Sequence, residues 1–139
     1  MMDRKFGLHG EYSLKIQEQT LLIRAKGPGN LELVEQYVKD VENQIKWLSE
    51  NGAWATLVVL SGTPLLPPDA SKLLKRTISQ EKYQGLTASA VVLEGVEYSQ
   101  SISRFWLDIY KNAGIKAALF DDECLAMEWL NEQLYKPDI

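Results

Sequence analysis

Apolar residues recur along the chain with two different periods, and these periods predict its secondary structure. Near the amino terminus Tyr12, Leu14 and Ile16 alternate with polar residues. A period of two places these three side chains on one face of a strand. A two-residue polar link separates this strand from a second apolar run, which favours an antiparallel hairpin. The predicted strands of the hairpin span residues 12–17 and 21–26.

The rest of the chain alternates between helical periodicity and short apolar runs. Asn30 is a good N-cap for the first helix, and Gly52 is a good stop signal for it. Within each predicted helix, apolar residues at spacings of three, four and seven form one stripe; the stripe of the second helix extends to Tyr83. The predicted helices span about 31–51, 70–84, 98–113 and 123–134, and the predicted strands between them span 54–60, 87–93 and 116–120.

This order of elements predicts the fold class. Strands that are joined through a helix run parallel to one another. The central strand, 54–60, is apolar on both faces from Leu57 to Leu60, as expected when helices cover both sides of a sheet. We therefore expect an α/β protein with a single mixed five-stranded sheet, whose first strand is antiparallel, and four helices. Residues 1–139 should form one domain, with loosely held ends at 1–10 and 135–139.

Composition narrows the classes of partner. The chain has 139 residues, 45% of them apolar and 24% charged, which is typical of a globular domain. Its net charge is −4 and its basic residues are dispersed, which disfavours nucleic acid as a partner. No run approaches the ~20 apolar residues of a membrane helix. We expect a cytoplasmic protein with no membrane insertion.

Three loops should meet at the carboxyl edge of the parallel strands, where ligands bind in open α/β sheets. The loops span 27–30, 61–69 and 94–99. In the first of them, Gly27 and Gly29 fall short of a dinucleotide-binding fingerprint and favour a turn that leads into a helix. The single histidine, His9, is far from all three loops in sequence, which disfavours a histidine-activated nucleophile.

The charged clusters do not indicate a metal or catalytic site. Three successive acids, Asp121, Asp122 and Glu123, diverge around one helical turn, whereas hard cations need converging oxygens. The single cysteine, Cys124, excludes a zinc site built from thiolates. An enzyme with Glu94 or Glu97 as a base is the least favoured function. We expect no enzymatic activity, no cofactor and no metal.

Two segments carry a family resemblance. The central strand ends in Leu60-Ser61-Gly62, followed by a loop into a helix, and the last helix follows Phe120 in the order Asp-Asp-Glu-Cys-Leu-Ala-Met-Glu-Trp-Leu. Together with the strand-strand-helix opening, these features resemble the SpoIIAA-like, or STAS, family, which includes bacterial anti-sigma-factor antagonists. The chain looks like an uncharacterised bacterial branch of that family. The resemblance covers nearly the whole chain and implies the same fold.

The resemblance also implies a function, with one departure. In the antagonists an Asp-Ser-Ser/Thr-Gly motif after the central strand carries a phosphorylated hydroxyl that switches partner binding. This chain has Pro67-Pro68-Asp69-Ala70 at that point, so the acceptor is replaced. Asp69 then either starts the helix or holds a fixed negative charge where the family places a phosphate. Ser71 is a weak substitute acceptor.

Two functional hypotheses follow. The first is a non-enzymatic interaction module that binds a protein partner, or a second copy of itself, through the loop after the central strand and the next helix. Its expected contact residues are Ser61, Leu65, Leu66, Asp69, Ser71 and Lys72. The second is a carrier or sensor of a small apolar or amphipathic ligand, held between the third helix and the sheet near Tyr98, Ile102 and Trp106.

Overall fold

The structure, a computed structural model, describes residues 2–5, 10–96 and 99–135. Its ten elements alternate in the order that the apolar periods predict, with one additional strand at the start. In chain order they are β1 (Met2–Lys5), β2 (Glu11–Gln17), β3 (Thr20–Lys26), α1 (Leu31–Glu50), β4 (Trp54–Ser61), α2 (Pro68–Tyr83), β5 (Leu86–Glu94), α3 (Ser99–Asn112), β6 (Lys116–Phe120) and α4 (Glu123–Tyr135).

The strands form one mixed sheet in the order β1-β2-β3-β4-β5-β6. Strand β2 is antiparallel to both of its neighbours, whereas β3, β4, β5 and β6 are parallel. The α/β class, the four helices and the antiparallel hairpin are therefore confirmed. In the described ranges, no helix combines the length and the apolar character needed to span a bilayer.

The sheet has one strand more than predicted. Residues 2–5 pair with β2, so they are not the loose lead-in that the sequence suggested. Three of these four residues are charged, which leaves no apolar alternation to detect. An edge strand is held by main-chain hydrogen bonds along one side, and charged side chains are common there. Of the other parts of the expected loose ends, Gly10 is buried and Tyr135 is the last residue of α4, whereas residues 1, 6–9 and 136–139 lie outside the described residues.

The helices are divided unequally between the two faces of the sheet. Helices α1, α2 and α3 pack on one face and form the larger core, and α4 packs on the other face. Strand β4 is buried from Trp54 to Leu60, as its continuous apolar run predicts. On the side of β4 that faces α1–α3, Trp54, Val58 and Leu60 belong to the larger core. On the side that faces α4, Leu57 and Val59 belong to the smaller core.

N-cap side chains and a proline at the first helical position account for where three of the helices begin. The Asn30 side chain accepts a hydrogen bond from the Leu33 N–H at 2.9 Å, and Asp122 accepts one from the Leu125 N–H at 2.8 Å. Helix α2 starts two residues earlier than predicted, at Pro68, because the first helical position needs no N–H donor.

The prediction that the buried stripe of α2 extends to Tyr83 is wrong. Tyr83 is 89% exposed, and Glu81 is the last buried residue of the helix. The Glu81 side chain is only 2% exposed, and its Oε1 has no hydrogen-bond partner among the described residues. Burial raises the pKa of Glu81 from 4.5 to about 8. The carboxyl group is therefore protonated at neutral pH, next to the aromatic rings of the larger core.

We predict that Glu81 makes the stability of the protein fall as pH rises. Because the pKa of Glu81 is higher in the folded chain, its contribution is complete below about pH 4.5 and is lost as pH rises through about 8. Glu81→Gln stays neutral. We expect it to reduce the loss of unfolding free energy between about pH 6 and about pH 9 by ~2 kcal/mol. Urea titrations at the two pH values measure this loss.

The matched control is Glu128→Gln, which removes the same charge from an exposed position of α4. It should leave the pH dependence of the wild-type protein unchanged. Equal pH dependence in wild type and Glu81→Gln would contradict the protonated, buried state of Glu81.

Candidate ligand-binding site

An apolar pocket opens at the carboxyl edge of the parallel strands, on the face that α1, α2 and α3 cover. The space between its walls is about 610 Å³ when the open mouth is included. The centre of a water-sized sphere can occupy about 70 Å³ of it. A single water needs only about 10–15 Å³ on this measure, so the pocket has room for a group of several heavy atoms.

The walls of the pocket come from the sheet and from all three helices of this face. The sheet supplies a floor of aliphatic residues, and the helices supply two aromatic residues of α3, Trp106 and Tyr110, together with Tyr37 of α1. Only the rim contributes charged residues. The floor and walls are Tyr12, Ile23, Ala25, Leu33, Val34, Tyr37, Val58, Leu60, Leu74, Trp106 and Tyr110, and the rim is Glu11, Lys26, Gly27, Gly29, Pro64, Leu65 and Leu66.

Two loops form the rim, and main-chain hydrogen bonds fasten them together. The Gly27 N–H donates to the Ser61 carbonyl at 3.1 Å, and the Gly29 N–H donates to the Leu65 carbonyl at 3.3 Å. A Cβ on Gly27 would lie 2.0 Å from the Thr63 carbonyl oxygen, so this close approach requires glycine. The two glycines therefore serve loop packing, in agreement with their interpretation as a turn.

Trp106 connects the rim to α3. Its indole Nε1–H donates to the Pro64 carbonyl oxygen at 2.8 Å, and this contact is buried. The bond satisfies the polar atom of the ring while the rest of the ring faces the pocket, which is the usual arrangement for a buried tryptophan. The loop after β4 is thus held from two sides, by α3 and by the loop after β3.

Three tyrosines give the interior a neutral, aromatic wall. The Tyr12 hydroxyl donates to Asp40, and the ring of Tyr12 lies edge-on to Tyr37 with centroids 5.8 Å apart. The Tyr110 hydroxyl is hydrogen-bonded with Ser89 and Thr56.

Burial raises the pKa of both Tyr37 and Tyr110 well above the usual range, and the nearby Glu81 raises each pKa further. The phenols therefore stay uncharged. A neutral interior of this kind suits an uncharged apolar group, because a charge placed there would lose its hydration.

A second, polar groove lies on the opposite face of the sheet, beside α4. Its position follows from the helix distribution, since α4 packs on β4, β5 and β6. Arg24 forms a two-point ion pair with Glu123 at the start of α4, at 3.0 and 2.5 Å. That hydrogen bonding raises the pKa of Arg24. The polar side chains lining the groove are Asp3, Glu11, Ser13, Arg24, Lys26, Ser61 and Glu94.

The groove carries charges of both signs and indicates no specific reaction. Arg24 is already engaged by Glu123, so it is not available to an anionic ligand without breaking that pair. Across the described ranges, no three histidine, cysteine, aspartate or glutamate side chains converge as metal ligands would.

The residues expected to bind a partner do not form one surface. Ser61 lines the polar groove, whereas Leu65 and Leu66 belong to the rim of the apolar pocket on the other face. Leu65 is 46% exposed and Leu66 is partly buried against the larger core. The structure thus assigns Leu66 to packing and leaves Leu65 half in solvent.

Of the residues of α2 that were expected to bind a partner, two are exposed and one is buried. Lys72 and Asp69 are exposed, and the Asp69 carboxylate accepts a hydrogen bond from the Ala70 N–H at 2.7 Å. This bond corresponds to the helix-start role of Asp69. Ser71 is buried, which corrects its placement on a binding surface: it lies on the inner stripe of α2 together with Ala70 and Leu74.

The residues expected to bind a small ligand do not all line the pocket. Trp106 lines the pocket, but Ile102 is buried in the larger core one turn earlier on α3 and does not reach it. Tyr98 lies outside the described residues. The tyrosines Tyr12, Tyr37 and Tyr110 were missed as site residues. Tyr12 and Tyr37 were expected on the inner sides of a strand and a helix, whereas Tyr110 was not expected on the inner stripe of its helix, although it follows Trp106 by four residues.

Comparison with known proteins supports the fold alone. No family model matches the chain, and no curated protein matches it. A similar solved structure is that of an uncharacterized protein of the DUF3478 family with a SpoIIAA-like fold, from Shewanella loihica PV-4. The similarity has a TM-score of 0.58 at 16% sequence identity and covers 91% of this chain and 98% of the other. The chain therefore has a SpoIIAA-like fold, as its resemblance to that family implies.

Proposed function

We propose that the protein binds a small apolar or amphipathic molecule in the pocket at the carboxyl edge of its parallel strands. The observation that carries this proposal is the apolar, neutral interior behind a rim of two loops that hydrogen bonds fasten together. Ligand pockets in proteins are typically apolar concavities with a few polar groups near them. The site also lies at the sheet edge where open α/β proteins bind their ligands.

The lining indicates how such a molecule would be oriented. An apolar end inside the pocket would gain about 0.8 kcal/mol for each buried CH₂ group. A polar end would stay at the open mouth, in contact with solvent. Glu11 and Lys26 border the mouth, but each alternates along its strand with an inward-facing residue, Tyr12 or Ala25, so their side chains point to the polar groove on the opposite face. The rim therefore offers no charge that selects the sign of a head group. The proposed selectivity is for the size and shape of the apolar end.

We predict that filling the pocket weakens binding. Ala25 is a partly buried residue on the floor, so Ala25→Leu adds three carbons to the space that a ligand would occupy. A fluorescence titration with anilinonaphthalene sulfonate, an amphipathic probe, should give saturable binding to the wild-type protein. We expect the Kd of Ala25→Leu to rise about tenfold or more, because ~1.4 kcal/mol of lost contact corresponds to that factor.

Ala53→Leu is the matched control, because it adds the same three carbons to an exposed position before β4. Its Kd should equal that of the wild-type protein. Non-saturable binding by wild type, or equal Kd values for Ala25→Leu and the control, would count against the pocket as the binding site.

A protein partner that docks on the loop after β4 is the second candidate. The observation that favours it is the half-exposed Leu65 at the rim, since an exposed leucine on an ordered loop can enter a partner's pocket. In this case the phosphoswitch of the SpoIIAA-like antagonists would be absent, because Pro68 or Asp69 stands at the acceptor position and Ser71 is buried.

We predict that Leu65→Glu distinguishes this candidate from ligand binding. If a partner docks at Leu65, the substitution should reduce its capture from a lysate of the native host about tenfold, because a charge cannot enter an apolar pocket. Trp47→Glu is the control, since Trp47 is equally exposed, at 47%, on α1. Equal capture by both variants, measured by quantitative mass spectrometry, would exclude Leu65 as the contact.

A further inference from the structure

The two edges of the sheet differ in how they are protected from pairing with another chain. Strand β1 forms one edge, and three of its four residues are charged. Strand β6 forms the other edge, with the sequence Lys-Ala-Ala-Leu-Phe. Charges, prolines and bulges are the usual means by which an edge strand avoids pairing. The three central residues of β6 provide none of these.

The side chains along β6 are incompletely covered. Ala118 is partly exposed, whereas its neighbour in the sheet, Ala90 of β5, is fully buried. Leu119, on the face of α1–α3, is 44% exposed. Strand β6 pairs with β5 along one side, and no other strand of the described ranges pairs with its outer side. Both its main chain and its apolar side chains are therefore available at this edge.

Helix α4 extends the apolar surface on the other face of β6. The ring of Phe120 packs on Trp129, with centroids 5.4 Å apart. Leu125 precedes Trp129 by four residues, so it lies on the same side of α4, toward β6. It is 48% exposed.

We propose that β6 pairs with β6 of a second copy of this chain, in antiparallel orientation about a two-fold axis at Ala118, to form one continuous sheet. A strand that pairs with its own copy through a two-fold axis is necessarily antiparallel. This register sets Leu119 opposite the partner's Ala117. A large residue then fills the space over a small one, twice in each dimer.

Charge complementarity supports the same register. Lys116, at the start of β6, comes opposite the partner's Phe120 and next to the acidic pair that follows it, the partner's Asp121 and Asp122. The symmetry repeats this contact at the other end of the paired strands. Two opposite-charge contacts therefore flank an apolar centre, and opposite charges across strands stabilise pairing. A second copy fits this edge because the edge complements itself.

The test measures molar mass by sedimentation velocity over a range of about 10–500 µM, which covers the affinity expected for a small interface. The wild-type chain should approach twice its monomer mass of 15.8 kDa. Lys116→Glu should weaken dimerisation about tenfold or more, because it places a negative charge next to the partner's acidic pair. Lys46→Glu, the same charge change at an exposed position of α1, should not.

Two further variants make the test specific to the edge. The charge exchange Lys116→Glu with Asp121→Lys should restore the dimer; Asp121 is chosen because Asp122 caps α4. Leu119→Lys should weaken the dimer independently, on the other face of the strand. A wild-type chain that stays monomeric throughout would overturn the proposal. So would a dimer that Lys116→Glu and Leu119→Lys leave intact, or a charge exchange that does not restore association.

Discussion

The architecture of this protein depends on covering β4 and β5 on both faces. These two strands are rich in apolar residues and buried over most of their length, so helices must exclude water from either side of them. Three helices do so on one face and a single helix does so on the other. The apolar pocket lies on the face with three helices and the polar groove on the face with one, whereas the free edge of β6 follows from its place at the end of the strand order.

The pocket lies at the carboxyl edge of the sheet, on the face that α1, α2 and α3 cover. Helices α1 and α3 both contribute side chains to the pocket at the carboxyl edge, and the hydrogen bond from Trp106 to the Pro64 carbonyl holds the loop after β4 against α3. The loop after β3 follows, because Gly27 permits close main-chain contact. The loops close over the strands from above but do not fill the space beneath them. The carboxyl edge of the sheet, three helices and two linked loops thus surround an apolar space that opens to solvent.

Polar groups buried on the same face limit what can enter. Tyr12 and Tyr110 direct their hydroxyls to protein partners rather than into free space, and Glu81 is held neutral by burial. None of these groups offers a charge to a ligand. The interior therefore differs from the opposite face, where Arg24 and its ion pair with Glu123 leave a groove of mixed charge.

Sequence patterns predicted the fold well because they report on burial. The runs of β4 and β5 and the stripes of the helices determine which element faces the core, and the caps at Asn30 and Asp122 mark where helices begin. The patterns failed for residues 2–5, since an edge strand needs hydrogen bonds rather than apolar alternation. They also failed at Tyr83, because apolar periodicity does not show at which residue a helix stops packing against neighbouring elements.

The site was only partly predictable for a different reason. The carboxyl-edge rule located the loops, and Trp106 was expected near a ligand. The approach of Gly27 to Thr63, and the meeting of three tyrosines from β2, α1 and α3, are long-range events with no local signature. Sequence position alone could not separate Leu66, which packs, from Leu65, which is half exposed, or show that Ser71 faces inward.

Native mass spectrometry of protein purified gently from its own host tests ligand binding, the central claim, most directly. We predict an additional mass of a few hundred daltons that is lost on denaturation, from a molecule whose apolar end occupies the pocket and whose remainder stays at the mouth. This mass should be absent from Ala25→Leu. A wild-type chain that carries no additional mass, or an additional mass that Ala25→Leu retains in full, would contradict the account.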